Sequence, residues 1–162
     1  MISECTKNDL PDILNVINDA ASKYEGVIPD DCWHAPYMSE QELIREFDSG
    51  VRMFGYTRDS ALIGVMGIQE LKDVTLIRHA YIMTAYQRLG IGKSLLQYLF
   101  RMNKSARLLL GTWQDASWAI KFYLKNGFIL HTKKTTTELL NKYWQIPLAQ
   151  VEHSVVLEKQ NL

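Results

Sequence analysis

The chain has 162 residues, 47% hydrophobic and 22% charged, enough to build a buried core. Eighteen Lys and Arg balance eighteen Asp and Glu, so it lacks the basic footprint expected when nucleic acid is the main partner. Its apolar runs are too short to span a bilayer, its first residues lack a signal-peptide core, and Cys5 and Cys32 fit no metal or redox spacing.

These features lead us to expect a cytoplasmic protein with two reduced thiols, no membrane association and no metal. No linker or repeat divides the chain, so residues 1–162 read as a single domain.

Residues 2–6 read as a short strand. Asn8 or Asp9 can cap a helix running to about Tyr24, with Pro11 tolerated in its first turn. Ile13, Leu14, Ile17, Ala20 and Ala21 recur at helical spacing and mark one buried face. Residues 25–38, rich in Pro, Asp and aromatics, read as a loop. Ser39 and Glu42 form a capping box that opens a helix ending near Gly50.

Residues 51–58 and 61–71 predict a hairpin around Asp59-Ser60. The Lys72-Asp73 turn leads into a strand over 74–83. Strand alternation places Ile77, His79 and Tyr81 on one face, and Arg78, Ala80 and Ile82 on the other. A glycine loop and a helix ending near Asn103 follow. Then come a strand at 107–113 and a helix at 116–126, capped by Asp115 and stopped by Gly127. A short strand at 128–130, a helix at 136–144 and a strand at 151–159 complete the chain. The order implies an α/β fold: a mixed, mostly antiparallel sheet with helices on both faces.

The stretch 87-QRLGIGKSLL-96 contains Gly92-Lys93-Ser94, which invites a nucleotide-hydrolase reading. A phosphate loop of that type needs glycine at position 87, where this chain has Gln87. What remains is a glycine-rich turn between a strand and a helix. Gly90 and Gly92 let the backbone approach an anion. The helix start offers it free N–H groups, and Arg88 and Lys93 add positive charge.

One strand later stands 119-AIKFYLKNGF-128. With Gln87-x-x-Gly90-x-Gly92, it resembles the GNAT N-acetyltransferase superfamily. That family carries a [Q/R]-x-x-G-x-[G/A] loop after its fourth strand and an A-x-x-F-Y-x-x-x-G-F helix after its fifth. Here Ala119, Phe122, Tyr123, Gly127 and Phe128 complete the second motif, and the element order matches over nearly the whole chain. The sequences 111-GTW-113 and 143-YWQIP-147 are similar to a bacterial and archaeal branch. One departure is Ala116, where members often carry an asparagine near the cofactor.

The resemblance implies an acyl-CoA N-acyltransferase fold, splayed between strands 4 and 5. It also implies acetyl-CoA as cosubstrate and a small-molecule or peptide amine as acceptor, and it admits a homodimer. The backbone of Arg88, Leu89, Gly90, Ile91, Gly92, Lys93 and Ser94 would hold the pyrophosphate, preceded by Gln87. The pantetheine arm would pair with the strand edge near Ile82 and Thr84, and Ser117 and Tyr123 would complete the cofactor site.

The resemblance gives Tyr123 the role of acid toward the departing thiolate. A thiol titrates near 8.5 and a tyrosine near 10, so no metal is required. His79 and Glu70 are alternative bases, and a water chain is a third route. Tyr24, Glu25, Trp33 and Tyr37, in the loop region after the first helix, would form the acceptor pocket. Trp113, Trp118 and Trp144 read as core or pocket wall. A non-catalytic acyl-CoA-binding module is the alternative reading.

Overall fold

The computed structural model describes residues 1–160. The chain runs Ile2–Glu4 (β1), Leu10–Ala21 (α1), Glu40–Asp48 (α2), Val51–Arg58 (β2), Ala61–Glu70 (β3), Thr75–Ile82 (β4) and Ile91–Met102 (α3). It continues Arg107–Trp113 (β5), Ser117–Lys125 (α4), Ile129–Leu130 (β6), Lys133–Tyr143 (α5), Leu148–Glu152 (α6) and Ser154–Gln160 (β7). One seven-stranded sheet has the order β1-β2-β3-β4-β5-β7-β6. Its pairings are antiparallel except β4–β5, which is parallel.

Local chemistry accounts for most boundaries. Asp59 and Ser60 take φ values of 50° and 65°, the left-handed pair that suits a two-residue hairpin. Gly127 takes φ 91° just past α4. The Ser39 hydroxyl accepts from the Glu42 N–H and caps α2. No hydrogen bond returns from the Glu42 side chain to Ser39, so only half of the expected box forms. Losing a serine cap costs about 1 kcal/mol. Ser39→Ala should therefore lower the thermal midpoint by about 3 °C, measured by calorimetry.

Two expectations are corrected. Asp115 does not cap α4: Ala116 occupies the cap position, and no side chain closes that end. The alternation at 151–159 conceals α6, which closes with Val151 and Glu152, so β7 begins at Ser154. Five residues are too few to display a helical period.

Register assigns the faces. Ile68, Ile77, Leu110 and Leu157 lie in one row across β3, β4, β5 and β7. They pack with Ile91, Leu95 and Leu99 of α3 and Tyr123 of α4. The opposite face packs Val51, Met53 and Val65 with α1 and α2. It also packs Leu76, Leu109 and Val156 with α5 and α6.

A charged cluster ties β5 to β7. Arg107 Nε and Nη2 donate to the Glu158 carboxylate, each at 2.8 Å, and His131 Nε2 lies 2.8 Å from its Oε1. Arg107 pulls this carboxyl down to about 2 against the opposing effect of burial, with His131 adding to the pull. A depressed carboxyl gives stability that is complete above its unfolded value and is lost as pH falls through the folded one. Wild-type stability should therefore fall by about 2–3 kcal/mol between roughly pH 4.5 and pH 2 on account of this group. Denaturant unfolding of Glu158→Gln should show that contribution missing.

Candidate active site

The parallel pairing of β4 and β5 is short. It covers Thr75↔Leu108, Leu76↔Leu109 and Ile77↔Leu110. Beyond Leu110, β5 continues against β7 alone, while β4 runs on to Ile82 against β3. The sheet is thus split between its fourth and fifth strands.

A β-bulge shapes the β4 side of the split. Gly67 pairs with Arg78 and Val65 with Tyr81, so His79 and Ala80 together oppose the single residue Met66. His79 takes φ 54°, a costly conformation for a side-chain-bearing residue. The bulge overturns the alternation expected from the sequence. Arg78 and His79 both reach Glu46 on α2, and Tyr81 packs with the α1–α2 cluster. Ile77, Ala80 and Ile82 pack on the α3–α4 side.

Two adjoining cavities occupy the split. The smaller, about 80 Å³, is lined by His79, Ala80, Tyr81, Thr112, Ala119 and Tyr123 among others. The larger, about 450 Å³, is a groove over β4 and β5 on the α2 and α5–α6 side. Tyr24, His79, Tyr81 and Thr112 line both.

Tyr123 is buried, and its ring packs edge-on against Phe122 and Phe128 at 5.0 and 5.3 Å. Burial pushes its phenol above the ordinary tyrosine range, so it stays protonated at neutral pH. Burial also raises the phenols of Tyr24, Tyr37 and Tyr81. Trp113 Nε1 donates to the Tyr37 hydroxyl at 2.9 Å, fixing one wall of the groove.

At the far end of β4, Met83 N–H donates to Ile63 O at 2.9 Å. Antiparallel backbone alternates, so the neighbouring Ile82 turns its N–H and C=O away from β3 and toward the split. The Ile82 carbonyl accepts from Gln87 Nε2 at 3.0 Å, and Gln87 Oε1 accepts from Lys23 at 3.3 Å. Gln87 is therefore tied to protein partners by both side-chain ends. The Thr84 N–H donates to Asp19 Oδ2 at 2.7 Å.

The loop that follows is a cradle of unused donors. Arg88 and Gly90 take φ 65° and 83°. The first helical bond of α3 is from Ser94 N–H to Gly90 O, at 3.0 Å. None of the backbone N–H groups from Arg88 to Lys93 has an acceptor in the described protein. The exposed side chains of Arg88 and Lys93 form no ion pair there. Six backbone N–H groups without a protein acceptor, at and just before the start of a helix, are the kind of donors that can hold an anion. Ser94 Oγ turns back to Gly90 O, and Leu89 lies exposed at the tip.

The remaining sequence candidates divide. Tyr24 and Tyr37 line the groove, while Trp33 stacks behind Tyr37 at 5.8 Å. Glu25 is exposed and lies outside the groove lining. Ser117 opens α4 at an exposed position. Glu70 is not brought to the split: it pairs with Thr75 at the opposite end of β4 and lies 3.4 Å from Arg52. Residues the sequence did not offer as site candidates, Glu42, Glu46, Tyr81 and Thr112, all line the groove. Glu42 and Glu46 carried a signal in their four-residue spacing on one helix. Nothing local marked which way that face turns.

Among the described residues, no group of three or more His, Cys, Asp or Glu side chains could hold a metal ion. No described helix is long and apolar enough to cross a membrane.

Comparison with known proteins gives the geometry a context. Residues 18–140 match a family model described as an acetyltransferase (GNAT) domain. No curated protein matches the sequence. The fold is similar to that of the PaiA N-acetyltransferase from Thermoplasma acidophilum in complex with coenzyme A. The identity is 19% and the TM-score 0.73, over 99% of this chain and 98% of that one. An acetyltransferase of the GNAT family from Staphylococcus aureus gives 17% and 0.74, covering 99% and 98%. A ribosomal-protein-alanine N-acetyltransferase from Brucella melitensis gives 18% and 0.68, covering 99% of each chain. At such identities the likeness concerns the fold alone.

Proposed function

The chain belongs to the GNAT acetyltransferase family, and from that premise we propose that it transfers an acetyl group from acetyl-CoA directly to a primary amine. Residues 1–162 act as one N-acetyltransferase domain in the cytoplasm. The acceptor is a small-molecule or peptide amine. The observation that carries this reading is the split between β4 and β5, with an amide cradle at one end and a buried phenol inside it.

The free amides of residues 88–93, with Arg88 and Lys93, hold the pyrophosphate of acetyl-CoA. The pantetheine arm runs along the open edge of β4. The Ile82 N–H points into the split and serves as donor to the thioester oxygen, where charge develops. The acceptor enters by the groove lined by Tyr24, Tyr37 and Tyr81. Its aromatic walls suit the apolar body of an amine, and the Asp31 and Glu42 carboxylates suit its charge.

The protons balance as follows. His79 removes one proton from the incoming ammonium. The free amine attacks the thioester carbonyl, forming the C–N bond and placing charge on the oxygen. As the C–S bond breaks, Tyr123 protonates the sulfur and recovers a proton from the nitrogen of the nascent amide. The products are the N-acetyl amine and free coenzyme A, and His79 releases its proton to solvent.

The test is thiol release from acetyl-CoA with a panel of primary amines. Release that depends on the amine, and on its concentration, is expected. Binding of acetyl-CoA without release for any amine would favour the alternative, an acyl-CoA-binding module. Ala116, buried where relatives often place a polar residue, favours that alternative.

A further inference from the structure

Three observations converge on α2. His79 is held at φ 54°, an arrangement that persists only where its surroundings over-determine it. Its side chain is 13% exposed, and its Nε2 is buried, 3.4 Å from Glu46 Oε1, without a well-aligned hydrogen bond. Glu46 Oε1 also accepts from Arg78 Nη2 at 3.1 Å, and Arg78 Nη1 is anchored by Gln69 Oε1 at 2.9 Å.

The ring's orientation follows from donor and acceptor chemistry. Burial raises the Glu46 carboxyl, but His79, Arg78 and Arg45 outweigh it, so the group stays ionised at neutral pH. An ionised carboxylate only accepts hydrogen bonds. Of the two neutral imidazole forms, the one with a lone pair on Nε2 would set it against the carboxylate lone pairs. The Nε2–H form points a donor there instead. Nδ1 has no protein partner among the described residues, and His79 lines both cavities.

Resting on the acetyl-transfer reading, we infer that Glu46 is a positioning residue: it fixes His79 as the Nε2–H tautomer and leaves Nδ1 as the proton acceptor of the groove. The bulge makes this possible. In regular alternation, Arg78 and His79 would face opposite sides of the sheet, and Glu46 could not engage both. The charged and titratable groups that line the two cavities with the ring are Glu42 and Glu46 from α2, Arg78 and Tyr81 from β4, Tyr24, Asp31, Cys32, His34 and Tyr37 from the segment between α1 and α2, and Tyr123 from α4.

The test uses the full chain with ¹⁵N-labelled histidine and no substrate, the His79 signals being assigned by loss in His79→Gln. The expected result is a neutral ring protonated at Nε2. A ring protonated at Nδ1 would overturn the inference, whatever the outcome of any activity assay. For turnover, Glu46→Gln should lower kcat by about tenfold or more while KM for the amine stays within about twofold, because the ring loses the carboxylate that orients it. An unchanged kcat in a folded variant would overturn the role. If Glu46→Gln does not fold, the wild-type spectrum still decides. Failure of acetyl transfer with every amine would overturn the proton-acceptor role and the transfer reading, but not the tautomer.

Discussion

Tyr123→Phe is expected to lower kcat by about 10²- to 10³-fold, within the range for loss of a general acid. Acetyl-CoA affinity should stay within about twofold of wild type, the pattern of a contact made only in the transition state. The substitution removes one oxygen and leaves the ring packed on Phe122 and Phe128, so folding should be preserved. A leaving thiolate near the thiol range needs its proton as the C–S bond opens. Burial keeps the Tyr123 phenol protonated above the ordinary tyrosine value, so its loss of function at high pH should begin only above about pH 10. Steady-state kinetics at saturating amine measures the drop. An unchanged kcat would assign Tyr123 to packing alone.

Gly90→Val should weaken acetyl-CoA binding by at least about tenfold. A Cβ at Gly90 would meet no atom within 4 Å, so space does not forbid it. The obstacle is φ 83°, a left-handed conformation costing an L-residue about 1–2 kcal/mol and more when β-branched. Relief of that strain would redirect the free N–H groups of residues 88–93. Each charge-assisted bond lost is worth about 1.5–3 kcal/mol, and about 1.4 kcal/mol is tenfold in affinity. Gly90→Asn is the control, because asparagine tolerates this conformation, and it should retain most of the affinity. Gly92→Val tests the same cradle by another route. There a Cβ would meet Phe122 Cζ at 3.4 Å, and the branched side chain would press the loop away from α4. Calorimetric titration separates these outcomes. Unchanged affinity in both valine variants would reduce the loop to a turn.

The glycine loop before α3 and the placement of Tyr123 on the helix before Gly127 were legible because each depends on local sequence. Glycines at fixed spacing before an apolar helix, and the Phe122-Tyr123 pair ahead of Gly127, signal their geometry without tertiary information. The α2 side of the groove was not legible, for a specific reason. One extra residue in β4 turns His79 toward α2 and reverses the side chains beyond it, and a bulge leaves no mark in an alternating pattern. Glu70 looked equivalent to His79 as a base, yet the hairpin register carries it to the opposite end of β4. Glu46 belongs to a helix whose polar face reads as ordinary surface until α2 is docked over β4. Glu25 lay near Tyr24 in sequence, but its exposed position keeps it off the groove. The hidden α6 mattered less to the chemistry, though its Ala149 and Gln150 help form the far wall of the groove.

The most direct measurement is a pair of calorimetric titrations of the wild-type chain, one with acetyl-CoA and one with ATP. Saturable binding of acetyl-CoA at one site, with ATP binding far weaker, is the predicted result. ATP binding in the absence of any acetyl-CoA binding would contradict the account, because the loop at residues 87–94 would then serve a nucleotide rather than the acyl donor.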